Sequence, residues 1–233
     1  MSDTGERIFS QAVEDYVKAI YKLQNEGQSV STTDLAKKIG ATPAAATKMI
    51  KHLAENRLID HTPYYGVRLT LAGERVALEI IRHHRLLELY LHQALGYGWD
   101  EVDAEAEKLE HHISEEFEER IDRMLDYPRT DPHGDPIPTR DGLIEPNRGK
   151  PLAESEPGET LMILRVRDSS PEALRYLASI GLHLEVVVRV KEKQPLDGAL
   201  TLDVNGVTRS VGRELAGYVF VEDRKAREEV SVP

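Results

Sequence analysis

The run EKLEHHISEEFEER, Glu107 to Arg120, packs carboxylates and imidazoles together. Glu107, Glu110 and His111 recur at i, i+3 and i+4, which places them on neighbouring edges of a helix. Such groups are ligands for a divalent cation. A helix running from Asp100 to Leu125 would carry Ala106, Leu109, Ile113, Phe117, Ile121 and Met124 as its apolar stripe. Glu110 falls inside that stripe. A buried carboxylate without a partner costs several kcal/mol or loses its charge, and a cation removes the difficulty. Asp15, at the edge of an earlier apolar stripe, is a further candidate. His84 and Glu88 form another i, i+4 pair, although a lone histidine on an apolar face is more often a satisfied core residue. The acids of SEEFEER read as a solvated face, and His83, His92 and His112 as surface.

The elements that must position these groups are legible in the pattern. QAVEDYVKAIYKLQ spaces Val13, Tyr16, Val17, Ile20 and Leu23 as a helix that Gly27 would end. Thr32 or Thr33 can cap a short helix over Asp34–Ile39, stopped by Gly40. Thr42 caps the next, with Pro43 at its first position, where a missing N–H costs nothing. That helix runs to about Asn56. Two β-rich runs, Leu58–His61 and Val67–Thr70, flank a turn and read as a hairpin. The layout is a winged helix-turn-helix, whose second helix enters the major groove. The small side chains of Pro43, Ala44, Ala45, Ala46 and Thr47 let the backbone approach the bases. Alanine and threonine methyls can meet a thymine methyl. Lys48, Lys51 and Arg68 are placed to meet phosphates, which fix register without reading sequence. Thr42 belongs to the same surface.

A long helix follows, Glu74 to Leu95, then the Asp100–Leu125 pattern, then a proline-rich segment that reads as an irregular linker. From Glu159 the texture is β: short strands in TLMILRV, EVVVRVK, ALTLDV, VTRSVG and LAGYVFVE, with a helix near Pro171–Ser179. The net charge of −11 argues at first against nucleic acid. By segment, residues 1–75 carry +1, residues 76–145 carry −11 and residues 146–233 carry −1. The N-terminal part is therefore free to meet a polyanion, and the acidic middle suits cations. There is no cysteine, which excludes disulfides, thiolate zinc sites and thiol catalysis. No run reaches the roughly 18 apolar residues of a membrane span, and the N-terminus has no signal-peptide pattern. These features point to the cytoplasm. There is no H-E-x-x-H, Glu-x-x-His, G-x-S-x-G or phosphate-binding glycine loop, so nothing points to an enzyme.

VEDYVKAIYKL, TPAAATKMIKHL, RHHRLLELYL and EKLEHHIS, in this order and spacing, resemble the diphtheria toxin repressor / manganese transport regulator (DtxR/MntR) family of metal-dependent regulators. The resemblance covers about residues 10–142, and residues 159–222 are more loosely similar to the SH3-like third domain of its longer members. It implies a primary metal site at Asp15, Glu107, Glu110 and His111. The iron-responsive branch has sulfur ligands where this chain has Asp15 and Glu107, and the manganese branch has carboxylates. The family's second site falls partly on His84 and Glu88. With Asp103 they form the preferred second set, and Glu172 is the candidate from the third domain. The two-domain manganese branch has a glutamate where this chain has Lys18, a departure from its bridged two-metal cluster.

The expected protein is mainly α with a small β part. Residues 1–75 would form a winged helix-turn-helix, 76–142 a helical metal-binding and dimerisation domain, 143–158 a linker and 159–222 an SH3-like (FeoA-like) β-barrel domain. The expected function is a manganese-dependent repressor, with iron as a second activator, that binds a palindromic duplex as a homodimer and controls metal homeostasis. A histidine ligand implies weaker metal binding below about pH 6.5. A winged-helix regulator answering a small molecule, and a metal-activated structural DNA-binding protein, are the alternatives.

Overall fold

A computed structural model of the chain describes residues 9–25, 30–62, 66–167, 170–195 and 198–224. Gly27, residues 63–65 of the expected turn, and Asp168 and Ser169 lie outside the described residues. The chain divides into two compact units. One comprises residues 1–87, 107–127 and 138–144, the other residues 88–106, 128–137 and 145–233.

In the first unit, α1 (Gln11–Asn25), α2 (Thr32–Ile39) and α3 (Pro43–Glu55) precede an antiparallel hairpin of β1 (Ile59–Thr62) and β2 (Gly66–Leu69). Val17, Ile20, Leu35, Ala46, Ile50, Leu53, Leu58 and Val67 share one core. The N-cap of α2 is Ser31, whose hydroxyl accepts from Asp34 N–H, rather than Thr32 or Thr33. Gly40 ends α2 at φ 70°, a left-handed conformation that glycine adopts without strain. Thr42 caps α3 by accepting from Ala45 N–H.

The long helix α4 is Leu71–Leu95, three residues earlier in onset than its apolar pattern. The expected continuous helix over 100–125 is two helices, α5 (Val102–Leu109) and α6 (Glu115–Met124). Ser114 explains the restart. Its side chain accepts from Phe117 N–H, and Glu115, Glu116 and Glu118 follow in the first turn, where the helix dipole favours acids. Glu110 and His111 therefore sit in the turn between helices. Of the expected stripe on α6, Ile121 is buried but Phe117 and Met124 are 41% and 56% exposed.

The second unit holds a six-stranded antiparallel sheet. Its strands are β3 (Lys150–Pro151), β4 (Thr160–Val166), β5 (Val187–Lys193), β6 (Leu200–Val204), β7 (Val207–Val211) and β8 (Val219–Asp223), in the order β3-β8-β4-β5-β6-β7. Alternate residues Leu161, Ile163, Val188, Val190, Leu200 and Leu202 face a core shared with Leu174 and Leu177 of α7 (Pro171–Ser179). A short helix, α8 (Arg213–Ala216), precedes β8. β6 and β7 join through Asn205 and Gly206, both at positive φ, as a two-residue hairpin turn requires. The sheet keeps two edges, β3 and β7, so the barrel is open. The proline-rich segment is irregular as expected, but it is not merely a spacer: Asp131, His133 and Ile137 are buried.

Candidate metal centre

The centre lies within the first unit. α1 brings Glu14, Asp15 and Lys18, α4 brings His84, the end of α5 brings Glu107, and the turn after it brings Glu110 and His111. Asp15, Glu110 and His111 each offer an atom close enough to share one ion. His111 Nε2 is 2.8 Å from Asp15 Oδ1 and 3.1 Å from Glu110 Oε1. Yet Asp15 Oδ1 and His111 Nε2 are buried and make no hydrogen bond. Buried polar atoms are almost always bonded. Two that face each other without a bond are what a shared cation satisfies, so these residues fit a metal ion.

Glu14, missed in the sequence, completes the arrangement. Its buried carboxylate lies 2.7 Å from His111 Nδ1. With Nδ1 engaged there, Nε2 is the ring atom left to bind an ion beside Asp15 and Glu110. A carboxylate behind a histidine orients metal ligands in this way. The signal was the helical wheel, which sets Glu14 beside Val13 and Val17 at the edge of the apolar stripe.

Glu107 departs from the expected quartet. Its side chain, 52% exposed, turns to Lys18, with Nζ to Oε2 at 2.8 Å. His84, Glu107 and Glu110 form a second trio with Glu110 in common. Glu110 is fully buried, with both oxygens 2.7 Å from Lys18 Nζ and Oε2 2.5 Å from His84 Nδ1. Burial would raise the Glu110 pKa, but the neighbouring His111 and His84 imidazoles and the Lys18 charge hold it far below the carboxylate range. Burial would lower the Lys18 pKa, and Glu110 and Glu107 raise it instead. Burial also opposes charge on His111, but Asp15, Glu110 and Glu14 push its pKa up to about 11.

His83 is not a surface residue. It is buried, with Nδ1 3.2 Å from the Glu110 carbonyl oxygen and Nε2 3.0 Å from Glu118. Glu118 is buried too, rather than part of a solvated acidic face, and accepts from Arg82 Nε at 2.6 Å. Arg82 also donates to Asp122 and to the Pro138 carbonyl. This network ties the Glu110 turn to α6. His92 and His112 are exposed, as expected.

In the second unit, Glu88, Asp131 and His133 are buried and close enough to share one ion. His133 Nε2 lies 2.6 Å from the Trp99 carbonyl oxygen, and Nδ1 lies 3.7 Å from Glu88. Asp131 Oδ1 accepts from the backbone N–H groups of His133 and Asp135, a local turn. DPHGD holds the signal, an acid and an imidazole two residues apart on a glycine turn, but the prolines in and around it read as linker. Of the expected second set, His84 belongs to the first unit's centre, and Glu88 and Asp103 lie in the second unit. Glu172 is 77% exposed and pairs with Arg175.

On α3, Thr42, Pro43, Ala44, Ala45, Thr47, Lys48 and Lys51 are exposed, and so is Arg68 on β2. Ala46 is not: it is fully buried. Helical periodicity puts it on the inner stripe with Ile50 and Leu53.

Residues 8–67 match the iron dependent repressor N-terminal DNA binding domain, residues 70–139 the iron dependent repressor metal binding and dimerisation domain, and residues 150–223 the FeoA domain. The iron-dependent repressor IdeR of Mycobacterium leprae is 30% identical over 182 residues, 77% of each chain. The diphtheria toxin repressor of Corynebacterium efficiens is 27% identical over 90% of this chain and 94% of its own. A manganese-dependent transcriptional repressor solved in complex with manganese matches at a TM-score of 0.85 and 40% identity, covering 91% of this chain and 99% of its own. The chain belongs to the DtxR/MntR family of metal-dependent transcriptional repressors.

Proposed function

We propose that this protein is a manganese-activated transcriptional repressor that controls metal homeostasis by binding duplex DNA as a homodimer. The observation that carries the reading is the buried, unbonded pair Asp15 Oδ1 and His111 Nε2, 2.8 Å apart on two elements. A bound divalent ion supplies positive charge and a fixed set of bonds there. Asp15 belongs to α1, which shares a core with α3, and Glu110 and His111 belong to the turn before α6. Holding the two together sets where the exposed start of α3 is presented. Two copies must present their α3 helices at about one helical turn of DNA apart. Metal and DNA therefore strengthen each other's binding equally, by typically about 1–3 kcal/mol. The exposed Phe117 and Met124 of α6 offer apolar area for a second copy to cover.

The donors, carboxylates and one imidazole with no sulfur, suit harder ions, so manganese is the cognate metal and iron a second activator. A DNA-binding regulator works where the DNA is, in the cytoplasm. Regulation rather than catalysis is the reading, in keeping with relatives that are transcriptional repressors. For a second ion we propose Glu88, Asp131 and His133, which are buried within one unit and close enough to share an ion. The domain limits 1–75, 76–142, 143–158 and 159–222 serve as working boundaries, with residues 128–137 assigned to the second metal set.

The test is fluorescence anisotropy on a palindromic duplex selected from a random pool in the presence of Mn(II). Binding is expected with manganese and not with chelator. Equal affinity in both overturns the reading, and activation by a small molecule in chelator favours the alternative regulator.

A further inference from the structure

The first unit's centre has two sides that meet at Glu110. On one side stand Asp15, Glu110 and His111; on the other stand His84, Glu107 and Glu110. Two ions sharing the Glu110 carboxylate would suit such a set. The second side already holds a cation. Lys18 Nζ lies 2.8 Å from Glu107 Oε2, 2.7 Å from both Glu110 oxygens and 3.3 Å from His84 Nδ1. Its side chain is only 5% exposed. An ammonium is a donor without acceptor capacity, so the Glu107 and Glu110 carboxylates meet it as they would meet a metal ion.

We propose that Lys18 is a tethered cation standing where a second metal ion would bind, so that this centre takes a single divalent ion. The inference rests on the reading of the centre as a metal site. Its geometry comes from α1: Asp15 and Lys18 are three residues apart, one helical turn, and so flank Glu110 from the same helix face. Displacement supports it too. A second divalent ion would have to push the Lys18 ammonium away from Glu107 and Glu110, and an ammonium left buried without its carboxylates is strongly disfavoured.

The experiment uses the full chain with Mn(II) alone as probe. Bound ions are counted by equilibrium dialysis, and electron paramagnetic resonance reads whether two Mn(II) ions are spin-coupled through a shared carboxylate. Lys18→Glu is expected to bind one more Mn(II) per chain than the wild type and to show a coupled spectrum that the wild type lacks. Lys18→Met, which keeps an unbranched side chain and removes the charge, is expected to admit the second ion more weakly. It carries the test if Lys18→Glu does not fold. A coupled spectrum in the wild type, or no gain of ion or coupling in the folded variants, overturns the role of Lys18. If Glu110→Gln binds as many ions as the wild type, the centre itself is misread. If it loses an ion while the Lys18 variants gain none, only the Lys18 inference fails.

Discussion

Glu110 and Glu118 are two buried carboxylates of one unit, in similar company. Glu110 has His84 and Lys18 as partners; Glu118 has His83 and Arg82. Each has its pKa lowered, because burial, which would raise it, is outweighed by the histidine and the cation. Charge and burial therefore do not separate them. The surroundings do. Around Glu118 each oxygen has a partner, and Arg82 also donates to Asp122 and the Pro138 carbonyl. Beside Glu110, Asp15 Oδ1 and His111 Nε2 remain buried and unbonded. A closed network holds structure, and an open one is built to receive something.

The sharpest break between the two is stability. Glu118→Ala leaves Arg82 and His83 buried without their carboxylate and is expected to cost about 3–5 kcal/mol, read as a lowered urea midpoint. Glu110→Gln is expected to lower it far less and to remove metal-dependent DNA binding. Its loss of Mn(II) affinity should exceed the roughly 10–100-fold typical of residues behind a ligand. If the two variants unfold alike while Glu110→Gln still answers to manganese, Glu110 is as structural as Glu118.

A smaller effect is expected from behind the ligand. Glu14→Gln should weaken Mn(II) binding about 10–100-fold by releasing the His111 ring, with DNA affinity restored at proportionally higher metal. An unchanged metal affinity would place Glu14 outside the centre.

The pH dependence refines the same contrast. A cation binding Nε2 must displace a proton that the surrounding carboxylates hold with a pKa of about 11. Mn(II) affinity should therefore rise by about tenfold per pH unit from roughly pH 6.5 to 8.5, with a proton released on binding. Dialysis at several pH values measures this, and a flat profile argues against His111 as a ligand. This moves the competition above the pH 6.5 expected of a free imidazole. The stability contribution runs the other way. The charged imidazolium favours the fold fully below its unfolded pKa of about 6.5, and that contribution is lost as pH rises through the folded value. The smallest effect belongs to the DNA face. Lys48→Ala, at an exposed position on α3, should weaken binding several-fold whatever the sequence, and reduce the salt slope by about one. An unchanged slope removes Lys48 from the phosphate contacts.

Much of this was legible in the sequence because it is local. Helical periodicity and caps place α1, α2 and α3: Thr42 before Pro43 starts α3, and Gly40 ends α2 in the conformation glycine favours. Period-two alternation places β4, β5 and β6. The acid and imidazole types at Asp15, Glu107, Glu110 and His111 declare oxygen and nitrogen chemistry without sulfur. The same periodicity could have moved Ala46 inward with Ile50 and Leu53, and Ser114 before three acids could have broken the helix over 100–125.

What only the tertiary structure decided depends on groups far apart in the chain. Glu14 and Lys18 are ordinary charged positions on an amphipathic helix until α1 lies beside the Glu110 turn. Then one holds a histidine ring and the other occupies a carboxylate pair that an ion could have bridged. His83 and Glu118 looked solvated for the same reason, since burial of a charge depends on a partner that sequence spacing does not bring. Asp131 and His133 were hidden by prolines that mark irregular backbone, and irregular backbone can be as buried as a helix once its turn is bonded to its own side chains. Residue type and short-range order come from the sequence by itself. Which buried carboxylate is closed and which is open comes from packing across the chain, because desolvation and pairing are properties of the assembled interior.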